Sequence, residues 1–267
     1  MSARAIGIIP ARWASSRFPG KPLAQIAGKP MIQWVWERAS RAETLERVLI
    51  ATDDARIEAA VREFGAEVVM TPTDLKSGSD RVAWVARDLP EYDVVANVQG
   101  DEPLLQPWVL DTAVRLVLED DRVPVATLAR VVEDPAELRN VNTARVVLDR
   151  EGFALYFSRA VIPFCRDVPN LDDWPACHPF YDQIGLYVYR RDVLLAFTEM
   201  EPTSLERAEK LEQLRLLQNG IRIKVGIVDF RPVCVDTPAD LEVVRKIVEG
   251  DQAQRAGRNV DGLSRKE

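Results

Sequence analysis

Apolar and polar positions fall into regular blocks along the first half of the chain. Ala5 to Ile9 is an unbroken apolar run closed by Pro10, the signature of a strand covered on both faces. Arg47 to Ala51, Glu67 to Met70 and Asp93 to Val98 repeat that signature. Between them, Met31–Ser40, Ala55–Phe64, Ser79–Asp88 and Pro107–Glu119 carry apolar residues at helical spacing. Thr52 or Asp53 is expected to cap the helix that starts at Ala55, and Ser77 or Ser79 the third helix. Pro107 suits a first helical turn. Strands alternating with helices at this spacing predict a mostly parallel sheet with helices on both faces, an α/β fold.

The second half has a different rhythm. Val123–Val131, Ala144–Leu148, Ala154–Phe157 and Ile184–Tyr189 read as strands with few helices between them, which predicts antiparallel pairing. The proline-rich stretch from Pro163 to Phe180 predicts an irregular arm. Helices follow over 190–199 and 204–218, then a strand at Ile221–Val228 and a helix at Pro238–Val248. The polar residues 250–267 are expected to form a flexible tail. The simplest organisation is a single domain over 1–249 with an inserted arm at about 130–190.

Bulk properties narrow the function classes. The chain has 267 residues, 47% hydrophobic and 29% charged, enough for a full core. The net charge of −7 argues against nucleic acid as the main partner. No apolar run approaches the roughly 20 residues of a membrane span. Three cysteines, an odd and sparse set, argue against a disulfide framework, and with no evident signal peptide a cytoplasmic protein is expected.

Ligands of open α/β sheets sit beyond the carboxyl ends of the strands. Three polar clusters fall there. The first is the loop after the opening strand, where Arg12, Arg17 and Lys21 accompany Ser15, Ser16 and Gly20. Small residues let backbone N–H groups approach a phosphate, and the cations neutralise it; a solvated surface loop is the plainer reading. The second cluster is Lys76-Ser77-Gly78-Ser79-Asp80-Arg81. The third is Gln99-Gly100-Asp101-Glu102-Pro103. An acidic residue after a buried strand, opposite a cationic loop, is what a Mg²⁺-dependent phosphate enzyme needs, since Mg²⁺ takes one or two carboxylates plus substrate phosphates. Asp236 is a second candidate carboxylate, and it reads equally well as a helix N-cap. P-loop, dinucleotide-binding and nucleophile-elbow motifs are absent. Cys165, Cys177 and His178 match no common zinc spacing.

Taken in order, Ile8-Ile9-Pro10-Ala11-Arg12 through Phe18-Pro19-Gly20-Lys21-Pro22-Leu23, Ser77-Gly78-Ser79-Asp80-Arg81, Asn97 to Pro103, Ala154 to Arg159, Leu211 to Arg215 and Val235-Asp236-Thr237-Pro238 resemble the CMP-KDO synthetases, the 3-deoxy-manno-octulosonate (KDO) cytidylyltransferases. The resemblance runs from about residue 5 to 248. It implies a nucleotidyltransferase α/β fold, Rossmann-like and GT-A-like, acting as a homodimer on CTP and Mg²⁺. Carried over by residue, it places Arg12, Ser15, Arg17 and Lys21 on the CTP phosphates, and Ser77, Gly78 and Arg81 along the nucleotide. Gln99 falls between nucleotide and sugar, and Asp101 and Asp236 on Mg²⁺. Arg159, Gln183, Tyr187, Glu212 and Gln213 line the acceptor site. The dimer interface is expected near the strands at 144–157 and the arm.

Two positions depart from the family pattern. Lys76 and Gln183 stand where histidine is common, and Gln183 can exchange hydrogen bonds without becoming cationic. The implied acceptor is KDO or a similar 3-deoxy sugar acid. The alternatives are CMP transfer to a small phosphonate such as phosphonoformate, which some family relatives perform, and a non-catalytic CTP-binding protein.

Overall fold

The computed structural model describes residues 3–14 and 17–263, the last thirteen of these by backbone alone. Seven strands form the spine of one nine-stranded sheet. In spatial order they are β11 (Ile223–Ile227), β7 (Val125–Val131), β10 (Tyr181–Arg190), β6 (Val94–Asn97), β1 (Ala5–Ala11), β4 (Arg47–Thr52) and β5 (Glu67–Met70). β8 (Arg145–Leu148) and β9 (Ala154–Ser158) branch from β10 as a hairpin. The β6–β1–β4–β5 pairs are parallel, as is β7–β11; β10 runs antiparallel to both its neighbours. A separate two-stranded ribbon joins β2 (Gln25–Ile26) to β3 (Lys29–Pro30).

The apolar alternation of β1 explains why it lies inside. Ala5, Ile9 and Ala11 pack on one face and Ile6 and Ile8 on the other, all buried. The first face is covered by α1 (Met31–Ala39), α2 (Ala55–Glu63) and α4 (Pro107–Leu118). The second is covered by α3 (Gly78–Arg87), with α6 (Arg191–Glu199), α7 (Ser204–Glu209) and α8 (Gln213–Gln218). The arm contains only one helical turn of α type, α5 (Trp174–Cys177), and α9 (Pro238–Leu263) closes the chain. Among the described residues no helix is long and apolar enough to cross a membrane.

Several local expectations are corrected. The helix capped near Thr52 or Asp53 is capped by Asp54, whose carboxylate accepts from the Arg56 N–H at 2.9 Å. The helix expected over 204–218 is two helices, because Lys210 adopts φ 56° and stops α7. The last helix continues past Val248, with helical backbone through Leu263. Residues 181–190, within the span expected for the arm, form a central strand between β7 and β6. Their apolar, stacked residues Tyr187 and Tyr189 fill the second core face and drive that placement.

The arm itself closes on a small core of Val132, Leu138, Cys165, Trp174 and Phe180. Its base is ionic. Arg145, fully buried, pairs with Asp182 at 3.0 Å and donates to the carbonyls of Asn140 and Glu137. Arg130 bridges Asp182 and Glu137, and Arg231 reaches Glu137 from the opposite side. Removing one partner from such a buried network leaves an uncompensated charge. Arg145→Ala is therefore expected to lower the unfolding free energy by about 3 kcal/mol or more, read from urea unfolding curves; an unchanged midpoint would show that the network is dispensable.

Candidate active site

The carboxyl ends of β1 and β6 open into a cavity of about 240 Å³. Its lining brings together Arg12, Arg17, Lys21, Ser77, Gly78, Arg81, Gln99, Asp101 and Asp236, nine of the residues that the motifs single out. Ser15 lies outside the described residues.

At the centre is Lys21. Its ammonium is 2.8 Å from Asp101 and 3.6 Å from Asp236, and Arg17 holds the same Asp236 oxygen at 3.2 Å. Thus two carboxylates 135 positions apart converge on one cation from different elements. Asp101 follows β6, and the backbone carbonyl of Asp101 accepts from the Val235 N–H at 2.9 Å, which draws Asp236 alongside. The capping of α9 shows that the Asp236 side chain is not the helix cap. Thr237 and Asp240 exchange the capping hydrogen bonds, Thr237 N–H donating to Asp240 at 2.8 Å and Asp240 N–H to the Thr237 hydroxyl at 3.3 Å. The Asp236 carboxylate is left to face Lys21 and Arg17.

Two glycines permit this geometry. Gly20 sits at φ 72°, and a side chain there would strike the Trp13 ring at 2.9 Å; Arg56 covers the other side of that ring at 3.4 Å. At Gly100 a Cβ would lie 2.9 Å from the carbonyl oxygen of Pro10, so only glycine lets the loop carrying Asp101 lie against the end of β1. Behind Asp101, Glu102 is 2% exposed, and burial together with the Asp101 charge raises its carboxyl to about 7.

The second cluster behaves differently from a simple row of ligands. Ser77 caps α3 in a capping box with Asp80, which explains its position at the cavity edge. The Arg81 guanidinium, buried at 3% exposure, is engaged by Asp53 at 2.7 Å and by the Thr71 hydroxyl. Lys76 lines a separate recess with Asp74 and Trp84.

The residues assigned to the acceptor form two hydrogen-bonded sets beyond Gln99. Gln213 donates to Gln183 at 2.8 Å, and Gln183 donates to the Tyr187 hydroxyl. Glu212 accepts from the Ser79 hydroxyl at 2.6 Å. Burial raises the Glu212 carboxyl, opposed by that hydrogen bond and by Arg215. Arg159 stands apart, donating to the backbone carbonyls of Glu209 at 2.9 Å and Asn142 at 2.9 Å, so it ties β9 to the turn after α7. A bulge in β10 between Ile184 and Tyr187 puts Gly185 against Gln99, where a Cβ would lie 3.8 Å from the Gln99 side chain. The sequence reading missed Ser79 and Asn97 as site residues. Each lies inside one of the ordered motifs, Ser79 in Ser77–Arg81 and Asn97 in Asn97–Pro103, and that was the available signal. Among the described residues no cluster of three or more His, Cys, Asp and Glu side chains converges on a metal position.

Comparison with known proteins agrees with this geometry. The cytidylyltransferase family model matches residues 6–223. A 3-deoxy-manno-octulosonate cytidylyltransferase of Geotalea uraniireducens is 50% identical over 241 residues, covering 89% of this chain and 96% of the relative. One from Solibacter usitatus is 46% identical over 257 residues, covering 96% and 99%. A solved CMP:2-keto-3-deoxy-manno-octonic acid synthetase, complexed with CTP, superposes with a TM-score of 0.87 at 41% identity, over 93% of this chain and 100% of the other. A cytidylyltransferase of Leptospira borgpetersenii, at 15% identity and a TM-score of 0.62 over 99% and 98%, shares the fold. The ordered motifs, the nucleotidyltransferase architecture and these matches together place the chain in the cytidylyltransferase family, among the CMP-KDO synthetases.

Proposed function

We propose that this protein transfers CMP from CTP to KDO, releasing pyrophosphate. The observation that carries the reading is the convergence of Asp101 and Asp236 on Lys21 at the mouth of the cationic loop. The names of the most similar relatives, and the CTP held by the solved neighbour, support the choice of substrates.

Both reactants are anionic, so they repel until charge is neutralised. Arg12, Arg17 and Lys21 line the cavity from one side and are placed to hold the triphosphate. Of the two cations paired with Asp236, Lys21 is the better shielded, at 15% exposure against 66% for Arg17, so its charge acts with less screening on the departing pyrophosphate. The donor set suits Mg²⁺: two carboxylates already gather around one cation position, all hard oxygen, with room in the cavity for phosphate oxygens to complete the shell. Asp101 and Asp236 would hold the ion. When bound there, Mg²⁺ screens the repulsion between the reactants and makes the attacking hydroxyl more acidic. Gln99 orients the substrates at the junction, and the Gln183–Gln213–Tyr187 set presents neutral hydrogen-bonding groups to the acceptor side. That neutrality is the one feature that favours a different acid, such as a small phosphonate; Lys76, which would add charge for it, lines another recess.

The homodimer belongs to this reading. Leu155 and Phe164, at 62% and 74% exposure, supply an apolar face on β9 and the arm for a second copy. Light scattering is expected to give twice the chain mass, and Leu155→Asp combined with Phe164→Asp to give the monomer; a wild-type monomer at micromolar concentration overturns it. Pyrophosphate release from CTP and Mg²⁺ is expected to be rapid with KDO and absent with phosphonoformate; the reverse pattern would transfer the assignment to the phosphonate. Asp101→Asn is expected to cut turnover by at least about 100-fold with an unchanged melting temperature. Undiminished turnover in that variant would remove Asp101 from the chemistry.

A further inference from the structure

A buried hydrogen-bond chain runs from the acceptor side to the wall of the cavity through residues to which no role has been given. Ser79 and Asn97 are 1% and 2% exposed. The Ser79 hydroxyl meets Glu212 at 2.6 Å, the Asn97 amide meets the Ser79 oxygen at 3.3 Å, and the Gln99 amide meets Asn97 Oδ1 at 3.3 Å. The chain thus joins α8, α3 and the end of β6.

Its direction follows from chemistry. An ionised carboxylate only accepts hydrogen bonds, so Ser79 must donate to Glu212. The Ser79 oxygen is then an acceptor, which selects the NH₂ end of Asn97. The Asn97 oxygen is left as an acceptor, which selects the NH₂ end of Gln99. The Gln99 carbonyl oxygen remains, and Gln99 lines the cavity. The hydroxyl-to-carboxylate direction holds with Glu212 ionised; burial raises its carboxyl, with the Ser79 hydrogen bond and Arg215 opposing, so the chain is tested at a pH well above the carboxylate range.

We infer that Ser79 and Asn97 are positioning residues, anchored by Glu212, which hold Gln99 with its carbonyl oxygen turned to the cavity as an acceptor for a substrate hydroxyl. A glutamine side chain without this anchor has two amide orientations and several rotamers, only one of which presents the acceptor correctly. The inference deepens the cytidylyl-transfer reading and rests on it for the identity of the substrates, while the orientation of Gln99 is a property of the protein alone. It also places Glu212 at the far end of the chain, three residues removed from the substrate.

The test combines kinetics with an activity-independent readout, both at about pH 8. Ser79→Ala is expected to lower kcat about 10-fold while CTP affinity, measured by calorimetry, stays within about 2-fold, and Ser79→Thr, which keeps the hydroxyl, is expected to restore it. In a Gln99→Leu background, Ser79→Ala is expected to have no further effect, because it acts only through Gln99. By NMR, the Gln99 side-chain NH₂ is expected to exchange slowly with water in the wild type and at least about 10-fold faster in Ser79→Ala, as its anchor is lost. Additive kinetic losses, or a Gln99 amide whose exchange ignores Ser79, would overturn the inference. Should Ser79→Ala fail to fold, the near-isosteric Asn97→Leu is read in the same way, with the NH₂ exchange of Gln99 and the double variant as criteria. A wild type without turnover on any acid would sink the proposed function, and the NMR result would still decide the orientation of Gln99.

Discussion

The gathering of Asp101 and Asp236 around Lys21 is the constraint to which the rest of the structure answers. Like charges repel, so two carboxylates share a site only where a cation lies between them or replaces their water. The fold meets this with three separate elements. β1 ends in the loop that returns through Gly20 to Lys21, β6 ends at Asp101, and the Asp101–Val235 backbone hydrogen bond draws the chain before α9 alongside. The parallel pairing of β1 and β6 puts both carboxyl ends at one edge, and Gly100 lets their loops touch. An anionic substrate entering the cavity finds cations on the loop and carboxylates beside them.

The antiparallel strand β10 makes the second half of the site. Inserted between β6 and β7, it brings residues from the far side of the arm next to the nucleotide cavity. Its bulge sets Gly185 against Gln99, and its inner residues Gln183 and Tyr187 join Gln213 of α8. The Thr127 hydroxyl stabilises the bulge by donating to the carbonyls of Ile184 and Leu186 at 3.2 and 2.7 Å. Donor and acceptor sides therefore share the β6–β10 seam, and the chain from Glu212 to Gln99 crosses it.

The base of the arm shows a different use of charge. Arg130, Arg145 and Arg231 interleave with Glu137 and Asp182 where β8 meets β10. Arg145 and Asp182 are buried and Arg130 and Glu137 nearly so, and such charges are tolerated only when each is paired, which demands one geometry; Arg231 joins from the surface. Arg159 adds a tie from β9 to the turn after α7. Gln183 and Tyr187 thereby lie on a strand anchored at its base by ion pairs, even though much of the arm is irregular.

The local code determined the strands and helices of the first half, since an apolar run such as Ala5–Ile9 or a capped amphipathic helix such as Gly78–Arg87 needs no distant partner to be read. Ordered motifs also determined the family, and they pointed to residues that the fold gathers around one cavity. Tertiary structure decided what depends on encounters between distant segments: that 181–190 is a central strand, that Lys210 breaks a helix, and that Thr237 with Asp240 caps α9 so that Asp236 is left for the cavity. It also decided that Arg81 is held by Asp53 and Arg159 by backbone carbonyls. An arginine in sequence is only a charge with donors; its partners are set by folding, because hydrogen bonds are satisfied by whatever the fold brings within 3 Å or so.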